Sequence, residues 1–271
     1  MQVVLFDMDG TLTKHRQVIT QSMCRKLKEL LKIARVGIVS GSKFDDIYRQ
    51  CQPLWDTITD MRLDNLTLLP CNGTQSYFWV DGIGWRLEYN NMMSDKIGAI
   101  NYQKLIREIT FAQVLITNND SYLGKFEIEH DFIDARGSLV NWCPIGRSST
   151  KYARSNFVSM DKEKNIRTEM INTLNLLLSR SGFDCSSLTI AKGGQTSVDI
   201  FPKGWDKTFV MKRYHNTNDC WFIGDACEKG QNDYELYTLL SNYNRAYKTT
   251  GPSHTLKIID SITDFINKTQ G

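Results

Sequence analysis

The chain has 271 residues, of which 41% are hydrophobic and 23% charged, with 18 glycines and 5 prolines. This composition excludes collagen-like, low-complexity and disordered chains, and the length suits one large domain or two modest ones of about 150 residues each. Lysine and arginine number 33, against 30 aspartates and glutamates, for a net charge of +3. So small an excess favours neither nucleic acid nor a membrane surface as a partner, and an anionic ligand must be bound by local groups.

The seven cysteines are scattered and form no Cys-x-x-Cys pair. Reduced thiols are therefore expected, rather than a disulfide framework or a zinc ribbon. The first nine residues contain Asp7 and Asp9, which a secretory leader does not tolerate, and no apolar run approaches ~20 residues. We expect a soluble, cytoplasmic protein.

Short apolar segments alternate with helical patterns at both ends of the chain. Residues 2–6 and 36–39 are strand-like, and the segment 20–32 between them carries apolar residues at helical spacing. Residues 220–223 form a further strand-like run, followed by a helical pattern over 233–240. Such alternation predicts an α/β fold with a doubly wound parallel sheet, in which ligands bind at the carboxyl ends of the strands.

The middle of the chain has a different pattern. Helix candidates cover residues 94–108 and 161–179, and extended segments lie near residues 114–116, 125–128 and 138–142. This mixture predicts a separate α+β unit, with an antiparallel sheet and helices on one face, inserted into the first. We place the parallel-sheet core at residues 1–84 and 193–271 and the inserted unit at residues 85–192.

Two carboxylates directly follow the first strand. Asp7 and Asp9 stand two residues apart on a turn, where Gly10 allows close approach of the backbone. Carboxylates this close repel each other unless a cation lies between them, and Mg²⁺ prefers oxygen ligands. The pattern predicts a magnesium and phosphate site, although for these four residues alone a capped turn explains the sequence equally well.

Further polar groups follow other predicted elements. Ser40, Gly41 and Ser42 precede a predicted helix and offer hydroxyls and backbone N–H groups to a phosphate. Lys207, near the start of another predicted helix, is a further candidate phosphate-binding group. Additional oxygen ligands for a cation come after the late strand: Asp225, Asn232 and Asp233. Each group alone has an ordinary structural explanation, but their joint occurrence after separate strands favours one phosphate-handling site.

This four-part pattern resembles the haloacid dehalogenase superfamily of phosphotransferases, which carries hhhhDxDGT, a Ser or Thr after the second strand, a lysine and GDxxxxxxND. The resemblance implies that Asp7 is a nucleophile that becomes an aspartyl phosphate and that Asp9 is the general acid and base. It also implies that Mg²⁺ binds Asp7, the main-chain carbonyl of Asp9, and Asp225.

Four longer segments are similar to the eukaryotic-type phosphomannomutases, whose cap domain is inserted between the second and third motifs. They are FDMDGTLTKHRQVIT, PIGRSSTKYARSNFVSMDKEKNIR, GGQTSVDIFPKGWDKT and FIGDACEKGQNDYEL, of which the third is the most specific. The substrate-binding positions of the family fall on Arg16, Arg136, Arg147, Arg154, Ser197 and Asp199. Guanidinium groups suit bidentate contacts with phosphate, and the resemblance places three of these arginines in the cap.

The resemblance implies interconversion of mannose 6-phosphate and mannose 1-phosphate for GDP-mannose synthesis, with Mg²⁺ as cofactor. Hexose 1,6-bisphosphate is then both activator and intermediate, the cap keeps water from the aspartyl phosphate, and the protein forms a homodimer through its caps. The chain departs from the family at Ser40, Cys71 and Ala226, where the usual residues are Gly, Glu and Lys. The balance between mutase and hydrolase therefore stays open, and a sugar-phosphate phosphatase and a non-catalytic sugar-phosphate sensor are the alternatives.

Overall fold

The computed structural model describes residues 1–56, 63–121, 124–125 and 128–270. The chain divides into two compact units, the first made of Met1–Asn90 and Trp205–Gly271 and the second of Asn91–Gly204. Both boundaries differ from those placed at 84/85 and 192/193 from sequence. The reason is strand pairing: a strand over Gly84–Asn90 extends the sheet of the first unit, and one over Val198–Pro202 belongs to the sheet of the second.

The helices and strands follow in chain order. The first unit begins with β1 (Val3–Phe6), α1 (Gln21–Leu31), β2 (Arg35–Val39), α2 (Phe44–Asp56), β3 (Leu66–Leu69), β4 (Gln75–Val80) and β5 (Gly84–Asn90). The second unit contains α3 (Met93–Ile97), α4 (Ala99–Thr117), β6 (Ile133–Ala135), β7 (Val140–Trp142), α5 (Lys151–Lys164), α6 (Ile166–Arg180), β8 (Leu188–Lys192) and β9 (Val198–Pro202). The first unit then continues with β10 (Cys220–Gly224), α7 (Tyr234–Ser241), β11 (Ala246–Lys248) and α8 (Pro252–Gln270).

The sheet of the first unit has the strand order β11-β10-β1-β2-β3-β4-β5. The strands from β11 to β3 pair in parallel, while β4 and β5 add an antiparallel edge. From β1 the chain proceeds outward through β2 to β3, and after the second unit it proceeds through β10 to β11 on the other side. The predicted doubly wound α/β sheet is confirmed, and its winding direction changes between β1 and β10.

Both faces of the central strand β1 are covered, which explains why all of its residues are apolar. Val4 and Phe6 of β1 pack in one cluster with α1, α2 and α8, whereas Val3 and Leu5 pack in another with α7. Successive strand residues point to opposite faces, so a strand buried on both sides carries a continuous apolar run. Each such side chain contributes roughly 1.5–3 kcal/mol by leaving water, so the strand ends are firmly held.

The second unit contains a four-stranded antiparallel sheet with the order β6-β7-β9-β8. Val140 and Trp142 of β7 and Val198 and Ile200 of β9 form a buried cluster with residues of α4 and α6. The residues between them, which point to the other face, are polar. This arrangement matches the predicted α+β unit with helices on one face of an antiparallel sheet.

Three local predictions for the second unit need correction or fall outside the structure. Residues 114–116, predicted as extended from their β-branched character, lie in α4, where Ile116 packs into the buried cluster. The single helix predicted over 161–179 is interrupted at Asn165, whose φ of 55° is left-handed. The predicted segment 125–128 includes residues 126 and 127, which lie outside the described residues. Among the helices described, none has the length and apolar character needed to span a membrane.

Candidate active site

The register of the parallel strands brings two acidic residues to one edge of the sheet. Phe6 pairs with Ile223 of β10, so Asp7 and Asp225 follow the ends of adjacent strands at the point where the winding direction changes. This is the position at which doubly wound sheets bind ligands. Gly10 has φ +93°, and a Cβ there would lie 2.4 Å from Asp225 Oδ2, so the turn after β1 requires glycine.

A buried lysine joins the acidic residues. Lys207 Nζ lies 2.5 Å from Asp7 Oδ1 and 2.5 Å from Asp233 Oδ1, and the lysine side chain is fully buried. The second oxygen of Asp233 accepts a hydrogen bond from the Ala226 N–H at 3.0 Å. Both oxygens of Asp233 therefore have protein partners, and this residue fixes Lys207 and the loop that carries Asp225.

The charges in this cluster do not balance. Carboxylate oxygens of Asp7, Asp225 and Asp233 lie within 4.8 Å of one another. Burial raises the pKa of Asp7 well above its ordinary value; attraction to Lys207 lowers it, and repulsion from Asp233 and Asp225 raises it further. Burial alone would lower the pKa of Lys207, but Asp233 and Asp7 outweigh it and raise that pKa. Lys207 thus stays protonated at neutral pH, and three carboxyl groups lie around this one positive charge.

This donor set fits a divalent cation. Asp7 and Asp225 present carboxylate oxygens at the strand ends, and a hard cation of charge +2 would offset the negative charge of these carboxylates. Asn232, predicted as a ligand, is exposed on the turn before α7, and no hydrogen bond or ion pair among the described residues joins it to the acidic cluster. Asp233, also predicted as a ligand, belongs to the same cluster of three carboxylates and in addition binds Lys207 and the Ala226 amide.

Asp9 is held separately from the lysine. Its Oδ1 accepts a hydrogen bond of 2.6 Å from the backbone N–H of Arg16, whose φ of 57° is left-handed. Buried Gln50 of α2 also lies beside it: with the amide oriented to satisfy both of its ends, the nitrogen is 3.2 Å from Asp9 Oδ1. The structure therefore places the backbone N–H of Arg16, an exposed residue, against the predicted acid and base.

The predicted phosphate loop lies between β2 and α2. Ser40 Oγ accepts the Ser42 N–H at 3.1 Å, with Gly41 between them. The main-chain oxygens of both serines accept N–H groups from a second turn, Ser40 from Asn72 at 2.8 Å and Ser42 from Cys71 at 3.0 Å. The loop is thus fixed on one side by this turn and on the other by the first turn of α2, where backbone N–H groups favour an anion.

In the second unit a row of polar residues crosses the sheet on the face away from α4 and α6. Antiparallel register pairs Asp134 of β6 with Asn141 of β7, and Asn141 with Asp199 of β9. The Asn141 amide donates to Asp199 Oδ1 at 2.5 Å and to Ser197 Oγ at 2.8 Å. The two residues predicted to bind sugar hydroxyls, Ser197 and Asp199, therefore share one amide donor.

The predicted arginines surround this row. Arg136 Nε donates to Asp134 Oδ2 at 2.9 Å, and Arg147 Nε lies 3.8 Å from the same oxygen. An N–H of Arg147 also donates to Asn141 Oδ1 at 3.4 Å. Arg154 donates to Thr196 Oγ1 at 2.8 Å, next in sequence to Ser197. One network thus connects all five substrate-binding residues predicted in this unit.

Sequence reasoning missed three residues of this network: Asp134, Asn141 and Thr196. Asn141 is the most informative, because its two neighbours on the strand, Val140 and Trp142, are buried apolar residues. A polar residue at the alternate position of a short strand points to the sheet face opposite the core. That signal was present in the sequence, but its partners are defined only by non-local strand pairing.

The first unit combines a doubly wound sheet, an aspartate after its central strand, a buried lysine and a further carboxylate after the neighbouring strand. These features define a phosphotransferase of the haloacid dehalogenase type. Solved structures with the same fold include an IMP-nucleotidase from Plasmodium falciparum, with a TM-score of 0.67 at 12% identity, covering 97% of this chain and 70% of that one. A haloacid dehalogenase-like hydrolase from Bacteroides thetaiotaomicron has a TM-score of 0.56 at 12% identity, covering 96% and 99%.

The family is narrower than this class. The model of the eukaryotic phosphomannomutase family matches residues 23–265, and the chain belongs to that family. A phosphomannomutase from Glycine max is 32% identical over 261 residues, covering 96% of this chain and 95% of the relative. Those from Arabidopsis thaliana and Encephalitozoon cuniculi are 32% and 31% identical, covering 94% and 87% of this chain and 93% and 84% of the relatives.

Proposed function

We propose that this protein interconverts mannose 6-phosphate and mannose 1-phosphate through a phosphorylated Asp7. Its family membership supports the activity. The observation that carries the mechanism is the position of Asp7, at the end of the central strand and 2.5 Å from a buried lysine. An aspartate so placed has a fixed orientation, and the lysine stabilises the charge of an incoming phosphoryl group.

The first half-reaction transfers a phosphoryl group from hexose 1,6-bisphosphate to a carboxylate oxygen of Asp7. The P–O bond to the sugar breaks, and the sugar oxygen receives its proton from Asp9, which is positioned by the Arg16 N–H. The second half-reaction reverses these steps on the other end of a hexose monophosphate. Asp7, Asp225 and the main-chain carbonyl of Asp9 would hold Mg²⁺, which would supply positive charge to the phosphoryl oxygens. The loop at Ser40 and Ser42 contributes N–H and hydroxyl donors to the same group.

We assign the phosphate that is not reacting to the arginine network of the second unit. Arg136 and Arg147 both contact the carboxylate of Asp134, which orients their guanidinium groups. The Asp199 carboxylate then offers acceptors, and the Ser197 hydroxyl a donor, to sugar hydroxyls. Because a mutase must accept either end of the sugar, a binding site built from charge and a few hydroxyl contacts suits both orientations.

The test is a ³¹P NMR time course with mannose 1-phosphate, Mg²⁺ and catalytic hexose 1,6-bisphosphate. We expect mannose 6-phosphate to accumulate, with inorganic phosphate as a minor product. Inorganic phosphate without mannose 6-phosphate would identify a sugar-phosphate phosphatase instead. Tight binding of mannose 1-phosphate that stays unchanged over hours would identify a sensor.

Asp7→Asn is the matched control, because it keeps the side-chain shape and removes the nucleophile. The variant should lose turnover and should carry no label after acid quench with ³²P-labelled hexose bisphosphate, while its circular dichroism spectrum stays that of the wild type. Labelled wild-type protein should yield the phosphate on a peptide containing Asp7. Label on any other residue would refute the assignment of the nucleophile. A cytoplasmic location and a homodimer through the second unit stay predictions, the latter to be measured by analytical ultracentrifugation.

A further inference from the structure

One short turn contacts most of the polar network of the second unit. It comprises residues 193–197 and joins β8 to β9, where Lys192 pairs with Val198. Thr196 accepts the hydrogen bond from Arg154, and Ser197 accepts one from Asn141. Gly193 lies so close to Asp199 that a Cβ there would be 2.7 Å from the carboxylate. The shape of this turn therefore sets the positions of Arg154, Ser197 and Asp199 together.

A single arginine outside the network holds this turn. Arg167 is the second residue of α6, and one of its terminal N–H groups lies 2.9 Å from the main-chain oxygens of both Gly193 and Gly194. Its Nε donates to Asp161 Oδ2 at 2.8 Å. The guanidinium thus connects the carboxylate of Asp161 with two carbonyls of glycines, the residues whose backbone has the greatest freedom.

The break between α5 and α6 makes this arrangement possible. Asn165 is left-handed, and after the break Asp161 Oδ1 accepts the backbone N–H of Arg167 at 2.8 Å, so Asp161 caps α6. Side-chain exposures are 7% for Asp161 and 15% for Arg167, which leaves little water to compete for these hydrogen bonds. Two sequence-distant segments are held in one geometry by a buried, charge-assisted pair.

We propose that Arg167, oriented by Asp161, is a positioning residue for substrate binding. It fixes the 193–197 turn so that Thr196 aims the Arg154 guanidinium and Asp199 faces the substrate hydroxyls. The proposal rests on the proposed function of this unit, because it assigns a role toward the sugar phosphate. It adds a residue that makes no contact with substrate in that scheme.

The first test measures the turn without any substrate. Hydrogen exchange of residues 193–197, read by mass spectrometry, should accelerate about tenfold or more in Arg167→Met, while the first unit exchanges as in the wild type. Because Arg167→Met leaves the Asp161 charge buried, Asp161→Asn/Arg167→Met is made as well; it removes both charges and keeps an acceptor for the helix cap. Arg180→Met, at the exposed end of the same helix, is the matched control. Unchanged exchange of the turn in both Arg167 variants would overturn the proposal.

The second test separates positioning from loss of fold. In both Arg167 variants the KM for mannose 1-phosphate should rise about tenfold while kcat changes less than threefold. Since the effect runs through Thr196, the rise in KM should be much smaller when Arg167→Met is made in a Thr196→Val background. Arg167→Lys, which cannot span both carbonyls and the carboxylate, should give an intermediate KM.

An unchanged KM, a fall in kcat alone, or fully additive effects with Thr196→Val would overturn the positioning role. If the wild type itself fails to isomerise mannose 1-phosphate, the proposed function is wrong. The exchange measurement then still decides whether Arg167 holds the turn.

Discussion

Replacing Lys207 with methionine removes the buried ammonium group and keeps the length of the side chain. In the wild type this group lies 2.5 Å from carboxylate oxygens of Asp7 and Asp233, both of which are buried. Removal of one partner from a buried ion pair costs about 3–5 kcal/mol, because the remaining charge is left without compensation. For a unit of this size, about 160 residues, each kcal/mol lowers Tm by about 2–4 °C, so we expect a fall of roughly 6–20 °C.

The assay is differential scanning calorimetry in EDTA at pH 7.5, following the transition of the first unit. Lys229→Met, which removes an exposed lysine from the same unit, is the control for loss of one positive charge and should change Tm by less than about 2 °C. Addition of Mg²⁺ should raise the Tm of Lys207→Met more than that of the wild type, because the variant cluster holds a larger excess of negative charge.

Two results would refute this reasoning. If Lys207→Met unfolds at the wild-type temperature in EDTA, the ion pairs do not contribute to stability as the geometry indicates. If Lys229→Met falls equally far, the effect belongs to net charge and not to the buried cluster.

Three further predictions follow from the structure. Gly10→Ala, which would put a Cβ 2.4 Å from Asp225 Oδ2, should lower kcat at least about tenfold and weaken the Mg²⁺ affinity measured by titration. Unchanged Mg²⁺ affinity would contradict the placement of Asp225. Arg147→Ala should raise the KM for mannose 1-phosphate about tenfold or more, and unaltered KM and kcat would remove this arginine from the substrate site. Burial raises the pKa of Cys24 to about 11 and that of Cys227 to about 12, so in a thiol-titration assay at pH 8 the half-buried Cys185 should react first. The free energy of unfolding should fall as pH rises from about 8.5, because thiols ionise there in the unfolded chain but not in the folded protein. Equal reactivity of all thiols would contradict the burial.

The catalytic half of the fold could be predicted because its signals are local. The strands at residues 2–6, 36–39 and 220–223 are short apolar runs, each with a polar residue within two positions of its end, and parallel pairing brings their ends together. What the sequence did not show is how the acidic residues contact the lysine and the backbone. Asp233, predicted as a metal ligand, lies in the acidic cluster and also binds Lys207 and the Ala226 amide, contacts that only the observed distances reveal.

The second unit was harder to predict because its decisive contacts are non-local. Residues 114–116 are β-branched or leucine and read as extended, but packing of Ile116 in the buried cluster keeps them helical. The break at Asn165 interrupts a pattern that is otherwise continuous, with asparagine in the left-handed region as its single local sign. Asn141 and Asp199 become neighbours through antiparallel register, which no periodicity within either strand specifies.

The central strand β1 has consequences for the order in which the chain folds. Val3 pairs with Cys220, so the middle of the first sheet cannot form until more than 200 residues have left the ribosome. The intervening residues 91–204 form a compact unit of their own, and its earlier folding would bring the two distant segments nearer and lower the entropy of closing so long a loop. During synthesis Asp7 and the strand before it therefore stay without their β10 neighbour until that strand emerges.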